Sequence, residues 1–139
     1  MSTIMGRAPR IGEIYLMEFG GTGSEQRGVR PGLVFQNNVG NKYSPNIIAL
    51  PLTGQIKKTE QPTHVLIKAS ANGLRKDSIV LCENPERMSK DKIGSYITTL
   101  SNNDMARVAE ANFLASSAIA YIDPRALLDI WHRAVKLIT

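Results

Sequence analysis

The chain has 139 residues and a mass of 15.3 kDa, 42% of them hydrophobic and 21% charged, which suffices for one core and excludes two ordinary domains. Its net charge of +5 comes entirely from residues 1–100, with thirteen basic and eight acidic side chains, while the last 39 residues balance; a basic first part suits a polyanionic partner, although ordinary soluble proteins carry as much charge. No apolar run approaches the roughly 20 residues that span a bilayer, Cys82 is the sole cysteine and His64 and His132 stand apart, so an internal disulfide, a membrane anchor, a signal peptide, a metal site and a cofactor are not expected, and a reducing, cytoplasmic compartment is.

Residues 1–11 lack periodicity and read as a flexible leader. Short segments rich in Ile, Val, Leu, Tyr and Phe follow at Glu13–Phe19, Gly32–Asn37, Asn46–Leu52, His64–Ile67, Ser78–Glu83 and Tyr96–Leu100, each bounded by Gly, Pro, Asn or Ser. Six strands without intervening helices predict a small antiparallel barrel or sandwich over residues 12–100. Tight turns are predicted at Gly40-Asn41 and at Asn72-Gly73. The segments 20–31 and 53–63 are longer than hairpins need and are candidates for function.

After Leu100 the period changes. Ser101-Asn102-Asn103-Asp104 resembles a capping box, and Met105, Val108, Ala109, Asn112, Phe113 and Ile119 approximate a helical stripe. One helix is predicted within 101–121. Asp123-Pro124 supplies a cap and a first-position proline for a second, at 123–138, whose Leu127, Leu128, Trp131, Ala134, Val135 and Ile138 form an apolar face. Trp131 reads as a packing residue on that face. With no repeat and no composition break, residues 1–139 are expected to form a single domain, mainly β with C-terminal helices.

The first long segment holds Ser24, Glu25, Gln26, Arg27 and Arg30 between glycines and ends at Pro31. Such a loop can wrap a phosphate, and the permanently charged planar fork of Arg30 suits the charge that builds on a phosphoryl oxygen. A solvated charge cluster is the other reading. Thr53 closes an apolar strand, where its hydroxyl either donates to a phosphate oxygen or serves a turn. Lys57 and Lys58 attract a nucleic-acid backbone or solubilise a loop tip. Glu83 ends a strand and either reads base amino groups, helps a proton move or forms a salt bridge with a nearby Lys or Arg. His64 and Cys82 read as structural.

Four segments in order, Gly23-Ser24-Glu25-Gln26 through Pro31, Gln36-Asn37 through Pro45, Pro51-Leu52-Thr53, and Pro62-Thr63-His64-Val65, closely resemble the MazF/PemK toxins of bacterial toxin–antitoxin modules, particularly those of Gram-positive bacteria. The likeness runs from about Gly12 to Ala120. It implies an SH3-like barrel of the MazF/PemK/CcdB type with helices, a homodimer, and a metal-independent endoribonuclease that cuts single-stranded mRNA at short sequences by attack of the 2′-hydroxyl and so inhibits translation and growth. A cognate MazE-like antitoxin would cover the groove and neutralise it.

The family's essential arginine falls on Arg30, its essential threonine on Thr53 and the glutamate of its Gly-Ser-Glu-Gln motif on Glu25. Base recognition is expected from Ser24, Gln26, Gln55, Ile56, Lys57, Gln61, Pro62 and Glu83, since unpaired bases are what proteins read in RNA. Where relatives commonly have Gln-x-Arg-Thr-Ile-Asp, this chain has Asn84-Pro85-Glu86-Arg87-Met88-Ser89, and its 123–138 helix extends past a compact member. That helix needs its own barrel, a sister subunit or another partner to cover its apolar face. Two alternatives share the fold: a CcdB-like gyrase-binding toxin, which lacks the Arg/Thr pair and ends in Trp-Gly-Ile, and a catalytically inactive RNA-binding module.

Overall fold

A computed structural model describes residues 6–20, 27–56 and 61–138. Among these, seven antiparallel strands form one sheet: β1 (Glu13–Gly20), β2 (Arg27–Val34), β3 (Asn46–Thr53), β4 (His64–Ile67), β5 (Ser78–Leu81), β6 (Glu86–Ser89) and β7 (Ile93–Thr99). Their order is β4-β5-β3-β2-β1-β7, with β6 also beside β3. The strand β3 divides one edge between two partners, pairing with β6 along Asn46–Ala49 and with β5 at Leu52 and Thr53. Its other edge takes β2 through Gly32↔Pro51, Leu33↔Leu50 and Val34↔Ala49.

The outer strands β4 and β7 do not pair, so the sheet is open where the sequence predicts a barrel. The strands β4, β5 and β6 have four residues each, too few bonds to carry a ladder round to β7.

Alternation along the strands builds two cores. Ile14, Leu33, Leu50, Leu52, Val80 and Cys82 pack with Val108 and Ala111 of a helix, whereas Tyr15, Met17, Phe19, Val34, Ile47, Ala49, Met88 and Ile93 pack on the other face. Each fully buried side chain of this size stabilises the fold by roughly 1.5–3 kcal/mol. Gly32 is needed at the second core, because a Cβ there would stand 2.8 Å from Phe19 Cζ.

The first strand is anchored at its start. Glu13, 4% exposed, accepts hydrogen bonds from Arg7 Nη2 (2.7 Å), the Arg10 backbone N–H (2.6 Å) and the Tyr15 hydroxyl (2.9 Å). Residues 7–10 are thereby fastened to the sheet, which corrects part of the flexible-leader expectation.

Among the described residues four α-helices accompany the sheet: α1 (Asn38–Tyr43), α2 (Ala69–Asn72), α3 (Asn102–Ala115) and α4 (Leu127–Ile138). The turn predicted at Gly40-Asn41 is instead α1, because the Asn37 side chain accepts from Gly40 N–H at 2.9 Å and caps a helix. Asn72 ends α2, and Gly73 supplies the left-handed φ of +73° at its C-terminus. The Ser101 cap holds, accepting from Asp104 N–H at 3.1 Å.

The predicted 101–121 helix stops early, at Ala115. Ser116 Oγ accepts from Ala118 N–H at 3.1 Å, a local bond that competes with the helical ladder, and a 3-10 turn at Ala118–Tyr121 follows. The 123–138 segment opens with a 3-10 turn, Pro124–Ala126, capped by Asp123, before α4 begins. Trp131 is 58% exposed and α4 buries no residue, so of the three covers the sequence allows for this face, its own barrel does not supply one. No helix among the described residues is long and apolar enough to cross a membrane.

Candidate active site

The antiparallel register of β2 and β3 positions the site. Their last bonded pair is Gly32↔Pro51, and beyond it Arg30 and Thr53 both line one groove. At that point β3 has turned to β5, pairing Thr53 with Ile79, while Arg30 stays on β1 opposite Met17. The two strands therefore diverge, and beside them opens a groove of about 850 Å³ that β1, β7 and the segment before β5 also line. Pro31 sits there as well, at a position where its missing N–H costs no β3 bond.

The groove has an apolar floor of Leu16, Leu52, Leu74 and Ile97 and a polar rim of Arg30, Thr53, Gln55, Arg75, Lys76 and Ser78. Burial lowers the pKa of the Arg30 guanidinium from its ordinary value. A cation held in such surroundings acts more strongly on a phosphate than one in water does. Thr53, 8% exposed, accepts from Gln55 N–H at 3.2 Å through Oγ1. That bond occupies an acceptor lone pair and leaves the hydroxyl proton to donate.

Arg30 lies inside β2, which runs Arg27–Val34 where the sequence predicts Gly32–Asn37, so it projects from a strand and not from a loop. The strand starts early because β1 pairs with it as far as Gly20↔Arg27.

Of the base-reading candidates, Gln55 lines the groove; Ile56 is 47% exposed beside it, and Gln61 and Pro62 are exposed on the run into β4. Ser24, Glu25, Gln26 and Lys57 lie outside the described residues.

Glu83 lies just past the strand it is expected to end. The strand β5 ends at Leu81, and Glu83 occupies the following turn, away from the groove lining. Its carboxylate meets His64 Nε2 at 2.8 Å, with the His64 side chain only 3% exposed. Cys82 N–H donates to Thr63 O at 3.0 Å and Asn112 of α3 donates to Cys82 O at 3.0 Å, so Glu83, Gln61 and Pro62 are held as one unit. The Cys82 thiol is pushed up to about 12 by burial and by Glu83, which makes it inert, as the sequence suggests. The unusual Asn84–Ser89 segment contains β6, where Glu86 Oε1 accepts from Gly20 N–H at 3.3 Å.

Arg75 and Lys76 escaped the sequence reading. A dibasic pair between Gly73 and Asp77, judged as Lys57-Lys58 was, is the signal that identifies them. Among the described residues no three His, Cys, Asp or Glu side chains cluster as a metal site.

Comparisons with known proteins identify the family and the fold. Over 103 residues the chain is 42% identical to Endoribonuclease MazF of Staphylococcus saprophyticus, covering 73% of this chain and 86% of that one. A mycobacterial endoribonuclease in complex with its cognate antitoxin is similar in structure at a TM-score of 0.64 and 27% identity, covering 78% of this chain and 94% of the other. MazF of Deinococcus radiodurans shares the fold at a TM-score of 0.66 and 21% identity, covering 77% and 94%. Since residues 10–112 match the family described as PemK-like, MazF-like toxin of type II toxin–antitoxin system, the chain belongs to that family.

Proposed function

We infer that this chain is an endoribonuclease toxin that cuts single-stranded mRNA at short sequences, inhibits translation and growth, and is neutralised by a cognate antitoxin. The observation that carries this reading is that Arg30 and Thr53 line one groove beside the diverging ends of β2 and β3. The endoribonuclease names of the relatives support it.

RNA brings its own nucleophile, so the protein need only align it and stabilise charge. The 2′-oxygen attacks the adjacent phosphorus, the bond to the 5′-oxygen breaks, and the 2′-proton is lost as the 5′-oxygen gains one. Arg30 neutralises the charge developing on the phosphoryl oxygens; arginine is too weak an acid for efficient proton donation, and its partial burial serves electrostatics first. Thr53 donates its hydroxyl proton to a non-bridging oxygen. Glu25, from the family motif, assists or orients. Gln55, Ile56, Gln61 and Pro62, with Ser24, Gln26 and Lys57, read splayed bases. Glu83 does so as well, its carboxylate oriented by His64.

The protein works as one domain in a homodimer in the cytoplasm, in keeping with a lone buried thiol. The antitoxin lies over the same groove, where basic side chains face it.

The test is incubation of the purified chain with a long single-stranded RNA in EDTA, with all new ends mapped. Discrete cuts bearing 2′,3′-cyclic phosphate and 5′-hydroxyl ends are expected; 5′-phosphate ends, or no cuts by folded protein, overturn the reading. Thr53→Val is expected to lower maximal cleavage about 10²-fold, the scale of one lost transition-state donor, while Thr53→Ser keeps the hydroxyl and restores most of the rate. Single-turnover rates of the two variants measure the difference.

A further inference from the structure

The loop between α2 and β5 carries two cations to the groove, and it is pinned on both sides. Leu74 is buried, Asp77 Oδ1 accepts from Ala69 N–H at 2.8 Å, and Ser78 Oγ donates to Lys76 O at 3.0 Å. Asp77, the neighbouring carboxylate, faces Lys68 at 3.7 Å. Among the described residues, no carboxylate lies within ion-pair distance of Lys76.

The path of the Lys76 side chain is specific. It crosses the backbone of Gly54, the residue after Thr53: a Cβ on Gly54 would stand 2.7 Å from Lys76 Nζ, 3.3 Å from its Cδ and closer still to its Cε. Gly54 is thus a seat for the lysine chain, and the ammonium rests beside the Thr53 end of the groove.

We propose that Lys76, seated on Gly54, binds a phosphate of single-stranded RNA in the groove, as a substrate-contacting residue additional to Arg30 and Thr53. The proposal rests on the endoribonuclease reading and gives it a third phosphate contact. An ammonium in this position replaces condensed counterions on the RNA, so its contribution appears as salt dependence.

The experiment measures binding of a single-stranded RNA carrying the mapped cut sequence, with a 2′-deoxy sugar at the cut to prevent reaction, over a range of salt concentrations. Lys76→Met is expected to reduce the slope of log K against log salt by about 0.7, the value for one phosphate contact on a single strand, and Lys76→Arg to restore it. Gly54→Ala is expected to produce the same reduction, since its methyl displaces the ammonium. The double variant should then lose no more than either single one.

An unchanged slope in Lys76→Met, or fully additive losses in the double variant, overturns the proposal. Should Gly54→Ala fail to fold, the Met and Arg variants at exposed Lys76 decide alone. A wild type that neither binds nor cuts RNA removes the endoribonuclease reading itself. A wild type that binds while Lys76→Met keeps its slope removes only the lysine contact; weakened binding of an acidic protein partner alone, with RNA unaffected, would assign Lys76 to that partner and likewise overturn the proposal.

Discussion

Arg30→Ala is expected to lower cleavage of single-stranded RNA at saturating substrate by about 10³-fold, the upper range for removing one preorganised electrostatic group. The size follows from placement. Arg30 is half-buried, projects from a strand paired to β1, and stands at the point where β2 and β3 part. A guanidinium held there needs no reorganisation as charge builds on phosphorus, and partial burial strengthens its field. Arg30→Lys should recover little, because an ammonium supplies a point charge in place of a planar fork. Thermal melting separates catalysis from folding, since the strand is held by backbone bonds and by Leu33 and Val34, which these variants keep. Cleavage by Arg30→Ala within about tenfold of wild type would show that the charge acts elsewhere.

The candidate site was partly legible because Arg30 and Thr53 sit on segments with strong local signals. Ile47–Leu52 is an apolar run that ends at Thr53, and Pro31 marks the mouth of an apolar strand. Their meeting depends on register, which alternation constrains by face but does not fix between particular strands. The divergence of β3 from β2 arises from the pairing of Thr53 with Ile79, a contact across 26 positions that no local pattern contains.

The strand β6 was missed for a related reason. Glu86-Arg87-Met88-Ser89 buries only Met88, because it pairs along one edge alone, so its composition resembles a loop. In contrast, α3 and the Asp123 cap were readable, since capping bonds span only two or three residues. The apolar face of α4 was readable too, but not its exposure: amphipathicity specifies that a face should be covered and leaves open what covers it.

The second large effect is on stability, at Glu13. Burial alone would raise its pKa, yet the bonds from Arg7, the Arg10 N–H and the Tyr15 hydroxyl hold the carboxyl below its ordinary value. Glu13→Ala leaves the buried Tyr15 hydroxyl and the Arg10 N–H without their acceptor, while Arg7, 39% exposed, returns to water. Breaking a buried pair costs roughly 3–5 kcal/mol, and solvent access to Arg7 reduces this to about 2–3 kcal/mol. For a domain of this size the melting temperature should fall by about 6–10 °C. Because the folded-state pKa is depressed, the stabilisation is complete above the unfolded value near about 4.3 and is lost as pH falls through the lower folded value. The gap between wild type and Glu13→Ala should therefore be constant from about pH 6 to 8 and close in acid below about pH 4. Calorimetry across that range tests it, and a gap that persists undiminished in acid would show that the carboxylate charge is not its source. The consequence reaches the groove, since β1, anchored by Glu13, is the strand whose Met17 lies opposite Arg30.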